Sequence, residues 1–296
     1  METPICDFVR DYCARDALRL HMPGHKGRAL LGMEPLDITE FDGADELYAA
    51  AGIIRQSEEN AARLFGAART LYSAEGSSLC IRAMLYLALL HARENGLRPA
   101  VAAGRNAHKV FLTAAALTGL EVDWLYPESP ESLLACGVEP AALESYLDTR
   151  ERPAAVYVTS PDYLGNLADI RALSAVCRRR GVLLLVDNAH GAYLHFLPEP
   201  RHPLDLGADI CCDSAHKTLP ALTGAAYLHF SESAPAALLE QAENALSVFA
   251  STSPSYLILQ SLDAVNRVLA GDYRARLSVT NLIDNPIFSP RLNLLY

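Results

Sequence analysis

The sequence has no surplus of positive charge: 25 Lys and Arg stand against 35 Asp and Glu among 296 residues, a formal net charge of −10. Without a basic face there is no electrostatic footprint for nucleic acid or an anionic membrane, so a small molecule is the expected partner. No apolar run approaches transmembrane length. The opening METPICDFVRDYCARDALRL places acids and arginines where a signal peptide needs a basic tip and an unbroken apolar stretch, so the expected location is cytoplasmic. Seven cysteines, at 6, 13, 80, 136, 177, 211 and 212, show no CxxC spacing and read as reduced core thiols, with no metal site expected. Internal repeats, low-complexity stretches and an inter-domain linker are missing too.

What is present is apolar: 51% of the residues are hydrophobic, enough to bury a large core. From about residue 60 onward, short apolar runs alternate with helical patterns at βα spacing, which predicts an α/β fold with a mainly parallel sheet between helices. The strand candidates are Ala100–Ala103, Val122–Tyr126, Ala154–Thr159, Val182–Asp187, Asp209–Cys212 and Gly224–Phe230. Helices are expected at Ser78–Glu94, Ala107–Thr118, Pro140–Asp148, Ala168–Arg180 and Ala234–Leu246. Residues 1–60 are rich in Gly, Asp, Glu and His with weak periodicity, and read as an arm or loop lining a site. Residues 61–250 are expected to form the large domain. A further helix over Tyr256–Leu269 begins a third region, 251–296, that reads as the start of an incomplete unit.

The strongest local signal is Asp209-Ile-Cys-Cys-Asp-Ser-Ala-His-Lys-Thr-Leu-Pro, an apolar strand ending in a loop that holds Ser214, His216 and Lys217. An isolated lysine there is a solvated loop residue. Asp187 changes the reading, because it follows five aliphatics and is costly to bury without a cationic partner. Two adjacent or near-adjacent strands could then offer an amine and a carboxylate to one crevice at the C-terminal end of the sheet. Pyridoxal 5'-phosphate (PLP) chemistry needs that pair: an amine to form a Schiff base, and a carboxylate to keep the pyridine nitrogen protonated. It also needs a phosphate cradle. Gly76-Ser77-Ser78, opening an apolar helix, supplies backbone N–H groups, hydroxyls and the positive end of a helix dipole, although alone it would be only a helix cap.

These residues sit within a longer series: HMPGHKG (21–27), DITE with DGADEL (37–47), EGSS (75–78), GRNAHKV (104–110), TSPDYLGNLADI (159–170), VDNAHGAYLHF (186–196), GADICCDSAHKTLPALTGAAYLH (207–229) and STSPSYLILQSLD (251–263). In this series the chain resembles the Orn/Lys/Arg decarboxylase family of PLP enzymes, in its shorter members without an N-terminal regulatory domain. The resemblance implies fold type I, with a mainly parallel seven-stranded sheet, and decarboxylation of ornithine, lysine or arginine to a polyamine precursor. It further implies that Lys217 bonds to the cofactor, Asp187 pairs with the pyridinium nitrogen and His108 stacks on the ring. Gly76, Ser77, Ser78 and Ser214 would hold the phosphate, and His216 would contact phosphate or substrate carboxylate. His190 would support the ring oxygen or the aspartate, or else is a core histidine. Thr252 and Ser253 match positions that reach a neighbour's phosphate in a homodimer, or else cap a helix.

The departures are Arg28 where the family has a second glycine, and Gly-Ser-Ser-Leu-Cys-Ile where it has Gly-Ser-Thr and, after a small residue, Asn. Members also continue into a C-terminal domain over the site, so part of the substrate pocket is expected to be missing here. The same scaffold supports transamination and β-elimination, and a PLP-binding homologue without turnover is the remaining alternative. Asp42, Asp45 and Glu46 are acids that could meet a distal cation on the substrate.

Overall fold

The computed structural model describes residues 1–127 and 137–279. Seven strands form one sheet: β1 (Arg69–Ser73), β2 (Arg98–Gly104), β3 (Glu121–Leu125), β4 (Pro153–Thr159), β5 (Leu183–Asp187), β6 (Ile210–Asp213) and β7 (Ala226–Phe230). Their spatial order is β1-β7-β6-β5-β4-β2-β3, and only β7 runs against its neighbours. The helices are α1 (Pro4–Ala14), α2 (Ile53–Phe65), α3 (Gly76–Asn95), α4 (Lys109–Thr118), α5 (Pro140–Thr149), α6 (Ile170–Arg180), the single turn α7 (Ala215–Thr218), α8 (Ala236–Glu240), α9 (Ala242–Ser247), α10 (Tyr256–Ala270) and α11 (Tyr273–Val279). No helix among the described residues is long and apolar enough to cross a membrane.

Alternation along the strands sorts side chains to the two faces. Val101, Ala155, Tyr157, Leu183, Leu185, Ile210 and Leu228 pack with α3, α4 and α9 on one face. Ala102, Val156, Val158, Leu184, Val186 and Cys211 pack with α5 and α6 on the other. Beyond β6 that second face is covered differently: Tyr72 and Tyr227 meet Ile5 and Val9 of α1, Phe65 of α2 and Leu259 of α10. The strands are nearly continuous apolar runs because both of their faces are buried.

Each of the six strand candidates forms. The seventh strand, β1, lies outside them because Arg69-Thr-Leu-Tyr-Ser73 has no apolar run; Thr70 and Tyr72 find partners inside the core. Thr70 Oγ1 lies 2.8 Å from His229 Nδ1, and the Tyr72 hydroxyl donates to the Ser57 carbonyl at 2.9 Å. The single helix expected over Ala234–Leu246 is broken at Gln241 into α8 and α9. Within the weakly periodic first sixty residues, α1 is a docked amphipathic helix, its Ile5 and Val9 fully buried. Cys80, Cys177, Cys211 and Cys212 are buried and unpaired, Cys6 and Cys13 half-buried and unpaired, and Cys136 lies outside the described residues.

Glu58 of α2 is a buried carboxyl in this core. One oxygen accepts the Tyr72 N–H at 2.9 Å, and the other has no hydrogen-bond partner among the described residues. Burial pushes its pKa up to about 8, so it is protonated in the folded chain at neutral pH. Between about pH 4.5 and 8 the folded state binds a proton that the unfolded state has released, so Glu58 makes stability fall as pH rises through that window. Relative to the wild type, Glu58→Gln should gain up to about 1.4 kcal/mol per pH unit across it and level off above. Denaturant melts of both proteins from pH 5 to 9 measure this; parallel curves would refute the assignment.

Candidate active site

A cavity of about 240 Å³ opens at the C-terminal ends of β4, β5 and β6, the edge at which parallel sheets bind ligands. Nine of the expected site residues line it: Gly76, Ser77, Ser78, His108, Asp187, His190, Ser214, His216 and Lys217. Thr252 and Ser253 do not. They are exposed between α9 and α10, where Ser255 rather than either of them is the N-cap residue of α10. No residue of 1–60 lines the cavity in this chain, and Asp45 is occupied in holding the start of α2, accepting the N–H groups of Ala51, Gly52 and Ile54.

Asp187 ends β5 and is 3% exposed. Its Oδ2 accepts the Tyr157 hydroxyl at 3.1 Å and its Oδ1 the Ala189 N–H at 3.1 Å, both neutral donors. Burial raises its pKa against the opposing pull of the Ala189 N–H, Lys217, Tyr157 and His108. A cationic N–H is the partner that such a carboxylate lacks. Lys217 stands in the single turn α7, just after β6, with Nζ 3.2 Å from His190 Nε2. The residue is open at the cavity mouth, yet the walls remove enough water from the ammonium to lower its pKa, with Asp187 and Cys212 opposing. His190 is lowered to about 4, by burial first and then by the Lys217 charge, so its ring is neutral and Nε2 accepts from the lysine.

On the opposite wall, Gly76 opens α3 with φ +73°, a backbone conformation that favours glycine. It leaves Ser77 and Ser78 in the first turn, where helix N–H groups have no intrahelical acceptor. The Ser214 hydroxyl donates to the Ser77 hydroxyl at 2.8 Å, joining the two loops. His216 Nδ1–H donates to the Ala225 carbonyl at 2.9 Å, which fixes its tautomer. His108 is both the N-cap of α4, its Nδ1 accepting the Val110 N–H, and a wall of the cavity. Its ring lies nearly parallel to Tyr163, with centroids 6.5 Å apart.

The model for the Orn/Lys/Arg decarboxylase major domain matches residues 3–287. The chain belongs to the Orn/Lys/Arg decarboxylase family. It is 31% identical over 287 residues to an arginine decarboxylase of Bacillus subtilis, covering 92% of this chain and 56% of that protein. An arginine decarboxylase of Halalkalibacterium halodurans is 30% identical over 293 residues, covering 94% and 58%. The chain therefore spans a little over half the length of these two relatives. Among solved structures, lysine decarboxylase A from Pseudomonas aeruginosa superposes with a TM-score of 0.77 at 22% identity, over 95% of this chain and 41% of that one. The fold is thus that of a fold-type-I PLP enzyme's large domain.

The cavity of this family member fits PLP. Among the described residues, Thr159 Oγ1 is buried in its wall without a hydrogen-bond partner and Asp187 has only neutral donors, and the amino end of α3 presents two serine hydroxyls. Tyr157, Thr159 and Tyr163 were not singled out from the sequence. Thr159 and Tyr163 lie inside the TSPDYLGNLADI motif, and Tyr157 points at Asp187 only because β4 and β5 pair in register. The neutrality of His190 is testable: its imidazole resonances should hold still from pH 8 to 5.5 and move only on approach to pH 4. Histidine-detected NMR on the wild type and His190→Gln checks this, and a midpoint near 6.5 would refute it.

Proposed function

We propose that the protein is a PLP-dependent decarboxylase of a basic amino acid, yielding a diamine or agmatine. The observation that carries this reading is one cavity holding an amine of lowered pKa, a buried carboxylate with neutral partners only, and a hydroxyl-lined helix start. Bound PLP supplies an electron-withdrawing ring that takes up the electron pair left when CO₂ departs. Lys217 would hold the cofactor covalently, and its lowered pKa keeps more of the amine in the neutral, nucleophilic form. Asp187 would keep a proton on the ring nitrogen, with Tyr157 and the Ala189 N–H orienting its oxygens. His108 would pack on the ring face, and neutral His190 orients the Lys217 amine. Ser77, Ser78, Ser214 and His216 would take the phosphate at the positive end of α3.

Arginine and lysine head the substrate panel, because the relatives include arginine decarboxylases and the structural neighbours lysine decarboxylases. With PLP added, the protein should absorb in the visible region, and borohydride should fix the label on Lys217. Label on Lys26 or Lys109 would sink the assignment. CO₂ release from arginine, lysine or ornithine, without a keto acid product, separates decarboxylation from transamination. Asp187→Asn should keep the fold but lose on the order of 10²–10³-fold in kcat, since an amide cannot hold the ring proton.

The proposal extends to assembly. Thr252, Ser253 and residues 20–27 lie away from this chain's cavity, and the arm exposes Leu18 (85%), Leu20 (83%), Leu30 (89%) and Leu31 (87%). We assign them to a twofold partner's site, because isologous pairing lets two copies complete each other. Light scattering should give at least a dimer; a monomer that binds PLP tightly would refute this.

A further inference from the structure

A second buried carboxylate supports the same loops from behind. Asp213 ends β6, is 0% exposed, and is followed at once by Ser214 and four residues later by Lys217. Alternation puts it on the same face as Cys211, opposite Cys212. His229 of β7 faces Cys211 across the ladder, and His202 leads into the short turn Pro203–Leu206. His202 Nε2 lies 2.9 Å and His229 Nε2 3.3 Å from Asp213 Oδ2. The other oxygen accepts Asn188 Nδ2 at 2.6 Å. Asn188 directly follows Asp187, so this one carboxylate ties the loop after β5 to the loop after β6.

The protons can be placed from the remaining partners. His202 Nδ1 accepts the Leu204 N–H, which leaves the proton on Nε2. His229 Nδ1 lies 2.8 Å from the Thr70 hydroxyl, and with that hydroxyl donating, the His229 proton is also on Nε2. Burial lowers the His229 pKa, so the ring is neutral. Burial works to raise Asp213, but the His202 and His229 contacts outweigh it and hold the carboxyl far below its usual range. One imidazole and an amide therefore donate to this buried carboxylate, with the His229 ring beside it at 3.3 Å. The geometry is confined: the Phe65 ring centroid lies 5.6 Å from that of His202 and 4.6 Å from that of His229. The Asn188 side chain lies so close over Gly191 that a Cβ there would meet its Oδ1 at 2.1 Å, so only glycine fits at 191.

We infer that Asp213 is a positioning residue for the cofactor: through Asn188 it holds the Asp187–His190 loop and the Ser214–Lys217 loop in register. This rests on the PLP reading above. It places Asp187 and Lys217 under one common restraint, held from the face of the sheet opposite the Asp187 side chain. The donor atoms of His202, Cys211 and Asp213 also lie within 4.8 Å of one another, spacing that a zinc ion could use. The direct 2.9 Å contact between His202 Nε2 and Asp213 Oδ2 favours a shared proton instead.

The test compares wild type, Asn188→Ala, Asp213→Asn and the double variant. Asn188→Ala removes only the cross-loop bond, and covers the case in which Asp213→Asn does not fold. Without PLP, amide hydrogen exchange in Asn188→Ala should quicken together in 188–191 and 214–218, on the order of tenfold, while the helices stay protected. Unchanged exchange in either segment would overturn the inference, whatever the fate of the decarboxylase reading. With PLP, each single variant should bind on the order of 10- to 100-fold more weakly in spectral titration. The double variant should be no weaker than the worse single, as for two ends of one bond. Additive losses, or stoichiometric zinc in the purified wild type, would also overturn it.

Discussion

Placing a carboxylate at the buried end of an aliphatic strand is the constraint around which the cavity is built. Val182 to Val186 gain by leaving water, and the register of β5 between β4 and β6 then carries Asp187 in with them. A charged oxygen in that setting is expensive unless it is hydrogen-bonded or paired. Tyr157 and the Ala189 N–H satisfy it in part and with neutral dipoles, so its pKa stays raised. What remains is a carboxylate poised for a cationic N–H, beside an amine whose pKa its surroundings lower.

Asp187 and Asp213 show how environment divides identical side chains. Both end adjacent parallel strands and both are buried, yet one is pushed up and the other held down. Asp213 accepts short hydrogen bonds from the Asn188 amide and the His202 imidazole, with the His229 ring beside it at 3.3 Å, whereas Asp187 accepts from a phenol, a backbone N–H and the weak Cys212 thiol. The carboxylate whose imidazole contacts outweigh burial is suited to structure, and the one left raised by burial to binding a charged ligand. The same contrast runs through the histidines. His202 and His229 are closed inside aromatic packing, whereas His190 and His108 stand in the cavity wall, neutral and within reach of a ligand.

Much of this was legible in the sequence because parallel strands buried on both faces leave long apolar runs, and a charged residue at the end of such a run stands out. Asp187, Lys217 and the Gly76-Ser77-Ser78 turn were found that way, and the series of motifs carried the family. The strand β1 was missed because its polar residues pair inside the core with residues 15 and 159 positions away, Tyr72 with Ser57 and Thr70 with His229. Helix α1 was missed because its apolar stripe is short and shows its purpose only against α2 and α10.

The sequence by itself determined the alternation of elements, the edge of the sheet where ligands bind, and the residue types that meet there, since these follow from hydrophobic period and local turn chemistry. Only the tertiary structure decided which polar residues would act as partners. Tyr157 reaches Asp187 through strand register, Asn188 reaches Asp213 across two loops, and Thr252 and Ser253 are carried away from the cavity by the position of α10. Hydrogen bonds at about 3 Å are set by three-dimensional packing, and residue spacing along the chain carries no record of it.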